Sequence, residues 1–233
     1  MSPRIDTQAD LQDALTRLLK ADPRLKPVFD LAGMPPLRRR SGGLAGLASI
    51  VVSQQVSVAS AAAIWARLEA ALDPFDHASV ARARPDRLRR IGLSAGKIRT
   101  LKALAKAERL GDIDLIGLAD HPADTAHAML TALHGIGPWT ADIYLLACLG
   151  HADAWPAGDL ALQEAYRIAF GLETRPTTKE MGPLAEIWRP WRGVAARLLW
   201  SYYRAVKGRD AAPLPPTSIP PTPISPTKPK RRS

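Results

Sequence analysis

A nine-residue stretch over residues 133–141, LHGIGPWTA, has the composition of an anion-binding turn between two helices. Gly135 and Gly137 permit a tight turn with positive φ and leave no side chains in the way of a ligand. Pro138 fits the first turn of a following helix, whose free backbone N–H groups can bind an anion. The stretch therefore predicts a phosphate contact at Gly135, Gly137 and Thr140. An ordinary helical hairpin with a glycine turn is the alternative.

The charge of the chain favours a polyanionic partner. The net charge is +10, from 32 Lys and Arg against 22 Asp and Glu. Four of these net charges lie in residues 211–233, so residues 1–210 still carry +6. A solvated basic surface would give the same balance. Together with the glycine turn, the charge predicts a helix-hairpin-helix over about residues 126–149, which holds a DNA phosphate without reading the base sequence.

Three further motifs accompany the hairpin. WPAGDL over residues 155–160 follows it and places Asp159 where a helix would begin. The other two are IVVSQQVSV over residues 50–58 and WRPWR over residues 188–192, which is followed by Trp200. In their order along the chain, the four motifs resemble the HhH-GPD superfamily of DNA glycosylases, and the motif at residues 188–192 with Trp200 resembles its DNA-3-methyladenine glycosylase II branch.

The resemblance, which covers roughly residues 40–206, implies that Asp159 is the catalytic carboxylate. Cleavage of an N-glycosidic bond develops positive charge on the sugar. A nearby carboxylate stabilises that charge and can orient or deprotonate the attacking water. An Asp at the start of a helix is also an ordinary N-cap, which is the structural alternative for this residue.

The resemblance also implies that the enzyme is monofunctional. Superfamily members that nick the strand carry a Lys where this chain has Trp139, and that Lys forms a Schiff base with the sugar. Trp cannot form a Schiff base. We therefore expect release of the base by hydrolysis, which leaves an abasic site in an intact strand.

The substrate base sets the requirements of its pocket. An alkylated purine such as 3-methyladenine carries positive charge, so electron-rich aromatic rings should bind it by stacking and cation–π attraction. We expect Trp139 and Trp200 to form this pocket. On the last predicted helix, Trp191 and Tyr202 share a face that is interpreted as core, and Trp200 falls on the opposite face. A surface Trp packed on a neighbouring helix is the alternative for Trp200.

The target base is stacked inside the duplex and must be flipped out, so a side chain must fill the gap. The likeness of residues 50–58 to the duplex-probing segment of the superfamily assigns this wedge to Gln55, with help from Gln54. A Gln side chain can hydrogen-bond the orphaned base, and a polar junction between helices is the alternative. The expected partner is double-stranded DNA containing damaged bases, bound by a monomer.

Cys148 is the only cysteine, which excludes an internal disulfide and a cysteine-ligated zinc or iron–sulfur site drawn from this chain. We expect a hydrolytic mechanism with no required cofactor and no metal among the site residues. The resemblance allows a monovalent cation held by carbonyl groups of the hairpin. No apolar stretch suits a signal peptide or a membrane span. We therefore expect a cytoplasmic protein without a membrane partner, associated with the nucleoid in a bacterium.

The elements that must position these residues are helical. Helical periodicity runs through nearly the whole sequence without convincing period-two alternation, which predicts an all-α fold. Thr7 is predicted to cap a first helix, and residues 44–72 to form two helices broken near residues 53–55. Residues 1–210 are expected to form one glycosylase domain. Residues 211–233 hold eight Pro and are expected to form a disordered basic tail.

The resemblance implies two helical lobes with the active site in the cleft between them, here without the N-terminal β domain that some members carry. Two other functions remain open. A glycosylase of the same architecture for deaminated or mismatched bases would differ in the shape of its pocket. A non-catalytic helix-hairpin-helix protein would bind DNA and would need neither Asp159 nor the Trp139 and Trp200 pair.

Overall fold

A computed structural model describes residues 3–209, which form helices joined by loops, with an isolated antiparallel bridge between Arg4 and His151. The α-helices are, in chain order, α1 (Gln8–Ala21), α2 (Lys26–Ala32), α3 (Gly43–Ser53), α4 (Val58–Ala71), α5 (His77–Arg82), α6 (Pro85–Ile91), α7 (Ala95–Leu110), α8 (Ala123–Thr131), α9 (Pro138–Ile143), α10 (Leu160–Ala169), α11 (Thr178–Ala185) and α12 (Arg192–Lys207). Short 3₁₀ turns span Pro23–Leu25, Gly117–Asp120 and Glu186–Trp188. The tail predicted for residues 211–233 lies outside the described residues.

Local signals in the sequence account for several helix ends. The Thr7 side chain accepts a hydrogen bond from the backbone N–H of Asp10, and the Asp10 side chain bonds back to the N-cap, so a capping box starts α1 as predicted. The predicted break within residues 44–72 is also confirmed. There α3 ends at Ser53, and the side chain of Ser57 caps α4.

The helices form two groups that meet at the hairpin. In one group α12 packs against α1, α2 and α10, and in the other α3 packs against α4, α7 and α9. Gly193 allows α12 to approach the segment after α9, because a Cβ there would lie 2.5 Å from Leu146 Cδ2 and 2.9 Å from the carbonyl oxygen of Ala152. This close approach brings the two groups together around the motifs singled out in the sequence.

The last six residues of the second hairpin helix form a π-helix, Tyr144–Leu149, where the sequence predicted continuous α-helix. Carbonyl groups of this segment accept hydrogen bonds from outside the helix. The Leu146 carbonyl accepts from Arg197 and the Ala147 carbonyl accepts from Arg39, at 2.9 and 2.8 Å. Donors so distant in sequence leave no local signal, which explains why the helix pattern missed the change.

The faces of α12 also differ from the prediction. The helix is buried on all sides from Arg192 to Ser201, whereas Trp191 and Tyr202, which were assigned to the core face, are only partly buried. Trp191 and Tyr202 still pack against the core as predicted, and the opposite face, which carries Trp200, is buried as well. Since α12 lies between α1, α2, α10 and the π-helix, most of its length has no solvent side.

Candidate active site

The loop before α10 presents Asp159 at the helix N-terminus. Two tight backbone contacts shape it, from the N–H of Ala157 to the carbonyl of Trp155 at 2.8 Å and from the N–H of Asp159 to the carbonyl of Pro156 at 2.9 Å. The buried Trp155 indole N–H donates to the carbonyl of Met181 at 2.9 Å and anchors the loop to α11. The carboxylate is thus carried by a rigid turn on a helix end.

The Asp159 carboxylate accepts three hydrogen bonds and is only 8% exposed. Its Oδ1 accepts from the backbone N–H of Leu162 at 2.9 Å and from Trp200 Nε1 at 3.2 Å, and its Oδ2 accepts from Trp139 Nε1 at 3.0 Å. A carboxylate is acceptor-only when ionised, which matches three N–H donors. Asp159 is therefore an N-cap and, at the same time, the point where both predicted pocket tryptophans meet.

The two tryptophans reach this carboxylate from different helices, Trp139 from the first turn of α9 and Trp200 from the middle of α12. Trp200 is 5% exposed, so the alternative of a surface Trp is wrong. Trp139 is partly exposed and offers the more accessible ring. Because both indole nitrogens point at Asp159, the rings also orient the carboxylate, a role that the sequence did not predict.

A partly buried ion network fixes the Asp159 loop against the hairpin. Arg192, the first residue of α12, donates from Nε and Nη2 to the two carboxylate oxygens of Asp153, each at 2.9 Å. Its Nη2 also donates to Asp124 of α8 at 2.9 Å. Burial opposes the charge of Arg192, but hydrogen bonds to Asp153 and Asp124 outweigh it and raise the pKa of the guanidinium. Arg192 belongs to the WRPWR motif, which was the available signal for this network.

The two hairpin glycines have different reasons to be glycine. Gly135 has φ +80, and a Cβ there would lie 2.0 Å from Thr100 Oγ1. Gly137 has φ −86, caps α9 without a side-chain bond, and a Cβ there would meet nothing within 4 Å. Gly135 therefore supplies the positive φ of the predicted tight turn, and Gly137 leaves open space in front of it. The fold requires Gly135, whereas only an external ligand would require the open surface at Gly137.

The predicted wedge segment, residues 50–58, touches the first turn of α9. Gln54 Nε2 donates to Thr140 Oγ1 at 2.7 Å, and Thr140 is 3% exposed. The Thr140 hydroxyl accepts this bond and keeps its own O–H donor, but the burial of the residue limits its access to an external ligand. Gln55 is exposed, so it is the more accessible of the two candidate wedge residues.

A second buried carboxyl lies one turn beyond Trp139. Burial raises the pKa of Asp142 well above its usual value, although the nearby Arg192 lowers it. The closest ionisable partner is His127, whose Nε2 lies 3.7 Å from Asp142 Oδ1, and burial also lowers the pKa of that imidazole. Both shifts favour neutral groups, so the Asp142 carboxyl is not suited to stabilise positive charge.

Residues 3–209 contain no group of three or more His, Cys, Asp or Glu side chains that could hold a metal ion. None of the helices in this part of the chain is long and apolar enough to cross a membrane.

Comparisons with known sequences agree with this geometry. The family described as HhH-GPD superfamily base excision DNA repair protein matches residues 48–190, more than half of the chain. The probable bifunctional transcriptional activator/DNA repair enzyme AlkA of Mycobacterium tuberculosis is 31% identical over 208 residues, which are 84% of this chain and 40% of that protein. DNA-3-methyladenine glycosylase 1 of Schizosaccharomyces pombe is 35% identical over 114 residues, 48% of this chain and 50% of that protein. The chain thus spans half or less of the length of these curated relatives.

Solved structures confirm the fold. The crystal structure of a DNA-3-methyladenine glycosidase from Bacillus halodurans superposes with a TM-score of 0.76 and 26% identity, covering 86% of this chain and 93% of that chain. The 3-methyladenine DNA glycosylase Mag1 of S. pombe, in complex with abasic DNA, superposes with a TM-score of 0.72 and 28% identity, covering 84% and 97%. The predicted all-α helix-hairpin-helix glycosylase architecture is therefore correct.

Proposed function

The chain belongs to the HhH-GPD superfamily of base excision DNA repair proteins, and we propose that it is a monofunctional DNA glycosylase for alkylated purines of the 3-methyladenine type in duplex DNA. The supporting observation is the Asp159 carboxylate held by the indole N–H groups of Trp139 and Trp200. A module that only clamps phosphate needs no such centre. The names of the relatives and structural neighbours support the substrate class.

In this proposal Asp159 stabilises the positive charge that develops on the sugar as the N-glycosidic bond breaks. Its three hydrogen bonds fix the carboxylate before substrate arrives, so little reorganisation is needed during the reaction. The same carboxylate orients or deprotonates the attacking water. Water then bonds to the sugar carbon, the base leaves with the electron pair of the broken bond, and the water proton passes to Asp159 or to solvent.

The proposed leaving group needs little help. An alkylated purine is already cationic, so departure of the base neutralises it without a general acid. The accessible ring of Trp139 can stack on the flipped base, and a cation–π contact of this kind contributes about 0.5–2 kcal/mol. Trp200 is mostly buried and contributes through its indole edge at Asp159.

Double-stranded DNA is the proposed partner. Gly135 shapes the hairpin, and the open space at Gly137 would admit a phosphate to the N-terminus of α9, where Thr140 is the other predicted contact. Gln55 would fill the space vacated by the flipped base. The hydrolysis needs no organic cofactor. A monovalent cation at the hairpin carbonyls stays a prediction, tested by exchanging potassium for a bulky organic cation at constant ionic strength.

The decisive experiment exposes the full chain to duplex DNA carrying methylated purines and identifies released bases by mass spectrometry. We expect 3-methyladenine-type bases and a strand that breaks only after alkali or heat. Duplexes of the same sequence that carry deaminated or mismatched bases serve as the comparison. Release of bases from these duplexes alone would instead assign the chain to another lesion. Tight duplex binding without release of any base would leave a DNA-binding protein, and unaided strand nicking would refute the monofunctional mechanism.

A further inference from the structure

A lysine from another helix holds the C-terminal end of α3. Lys97 Nζ donates hydrogen bonds to the carbonyl oxygens of Val52 and Gln54, both at 2.8 Å. These carbonyls belong to the last turn of α3 and to the residue after it, where helix carbonyls have no partner within their own helix. Negative partial charge collects at such an end, which favours an ammonium group there.

The position of Lys97 in its own helix calls for a reason. It lies in the first turn of α7, where positive charge is unfavourable and where Ser94 caps the helix by accepting from the Lys97 backbone N–H at 3.3 Å. The side chain is partly buried, and burial lowers the pKa of its ammonium group. A solvated lysine would extend into water, whereas this ammonium group binds two carbonyls of a neighbouring helix.

The residue after this contact has an unusual backbone. Gln55 has φ +56 and is the one non-glycine residue with positive φ in residues 3–209. A side chain with a Cβ disfavours this region, so the conformation persists only where the surroundings impose it. The preceding residue is held on two sides, since Lys97 binds the Gln54 carbonyl and Thr140 binds the Gln54 amide.

We propose that Lys97 is a positioning residue for the wedge. It locks the turn between α3 and α4 so that Gln55 already holds the conformation in which it enters the duplex. Because the turn is already ordered in the folded protein, DNA binding does not carry the entropy cost of ordering it, as with preorganisation in general. This inference rests on the proposed base-flipping function and adds to it a residue that acts through Gln55. A direct phosphate contact is the competing role for a lysine at this surface.

The same helix supplies a matched control. Lys102 Nζ donates to the carbonyl oxygens of Ala81 and Ala83, at 2.7 and 2.5 Å, at the end of α5. Burial lowers the pKa of Lys102 as it does that of Lys97. Replacing either lysine with Met keeps most of the stem and removes the ammonium group. Only Lys97 adjoins the wedge turn, so the two variants separate a wedge effect from a general loss of helix capping.

The experiment compares Lys97→Met, Lys102→Met and Gln55→Gly with the double variant Lys97→Met/Gln55→Gly, all in the full chain. Wedge insertion is followed by fluorescence of 2-aminopurine placed opposite a stable abasic analogue, which requires no base release. Single-turnover base release is measured on alkylated duplex. Affinity for undamaged duplex is measured over a range of salt concentrations, and thermal unfolding reports stability.

We expect Lys97→Met to reduce the fluorescence rise at saturation by more than half and to slow base release about tenfold. Affinity for undamaged duplex and its salt slope should stay unchanged. Lys102→Met should stay within about twofold of wild type in all DNA measurements. Because Lys97 acts through Gln55, the double variant should fall less than about twofold below the worse single variant.

Three outcomes would overturn the inference. A Lys97→Met protein with wild-type fluorescence and rate would remove any positioning role. A weaker affinity for undamaged duplex, with a salt slope reduced by about one, would make Lys97 a phosphate contact. Effects of Lys97→Met and Gln55→Gly that multiply would show that Lys97 acts elsewhere.

Two further results keep this test separate from that of the function. A wild type that gives the fluorescence rise but releases no base would refute the proposed glycosylase and leave the positioning of Gln55 intact. If Lys97→Met melts far below Lys102→Met, the same measurements on Lys97→Gln decide, since that variant keeps N–H donors and loses the charge. Wild-type behaviour of Lys97→Gln in the fluorescence assay would then refute the role of the ammonium group.

Discussion

The two sides of the candidate cleft differ in how their polar atoms are partnered. On the chemical side, the buried Asp159 carboxylate already accepts three hydrogen bonds. On the side proposed to hold DNA, Gly137 and Gln55 are exposed, and a Cβ at Gly137 would meet no protein atom within 4 Å. The difference indicates a division of labour. A charge that must act in a transition state is fixed in advance, whereas a surface that must grip phosphate keeps its donors for the ligand.

The two sides are nevertheless joined by short connections. Trp139 lies in the first turn of α9 and donates its indole N–H to Asp159. The next residue, Thr140, accepts a hydrogen bond from Gln54 in the turn between α3 and α4. One helical turn therefore contacts the catalytic candidate, the wedge segment and the predicted phosphate site. Substitutions on either side can test whether chemistry and DNA holding separate as this arrangement suggests.

The largest effect is expected from Asp159→Asn. The amide keeps the size and the cap of the carboxylate but removes its charge, and its NH₂ group would face the Trp139 indole N–H, donor against donor. Single-turnover base release should slow by at least about a hundredfold, with affinity for damaged duplex maintained. Asp159→Ser, which retains capping ability without a carboxylate, should be equally slow. A near-normal rate in Asp159→Asn would reduce Asp159 to a helix cap.

The hairpin glycines should separate fold from binding. Gly137→Asp adds a side chain and negative charge where no protein atom lies, so duplex affinity should fall on the order of tenfold for all sequences alike, with little change in melting temperature. Gly135→Ala should instead lower the free energy of unfolding by about 1 kcal/mol or more, since φ is +80 and Thr100 blocks the Cβ. Unchanged affinity of Gly137→Asp, measured by fluorescence anisotropy at several salt concentrations, would contradict the hairpin assignment.

A smaller effect is expected from Trp139→Phe. Phenylalanine keeps a ring for stacking but cannot donate to Asp159, so the carboxylate loses one of its three partners. Part of the free energy of that hydrogen bond should be lost in the transition state, which lowers the single-turnover rate about fivefold. Trp188→Phe is the control, because its indole N–H bonds to the Asp22 carboxylate and not to Asp159. A larger loss in binding than in rate would indicate that Trp139 serves stacking alone.

The smallest effect on activity is expected from Asp142→Asn, which should change stability instead. Burial raises the folded-state pKa of Asp142 well above 3.8, so folding takes up a proton. The free energy of unfolding should then fall as pH rises from about 4 towards the folded-state pKa, by about 1.4 kcal/mol per pH unit inside that window. Asp142→Asn should lack this decline while base release stays near normal. Parallel pH profiles in urea unfolding of the two proteins would contradict the buried neutral carboxyl.

The sequence by itself determined the features that depend on near neighbours. The capping box at Thr7, the break between α3 and α4 and the helix start at Asp159 all follow from residues within one turn of each other. The four ordered motifs then predicted the superfamily, which the family match confirms. The short helices α2, α5, α6 and α11 escaped prediction because each has only six to eight residues, too few for a clear period of 3.6.

Only the tertiary structure decided which of these residues meet. Trp139, Asp159 and Trp200 lie far apart in the chain, and their shared hydrogen bonds depend on the approach of α9, α10 and α12. The contacts of Lys97 with α3 likewise join residues that no periodic pattern relates. Local propensity reports backbone conformation within a few residues, whereas the partner of a buried donor is selected by packing between distant segments. The sequence could therefore name the candidate catalytic carboxylate, but the donors that hold it followed from the fold.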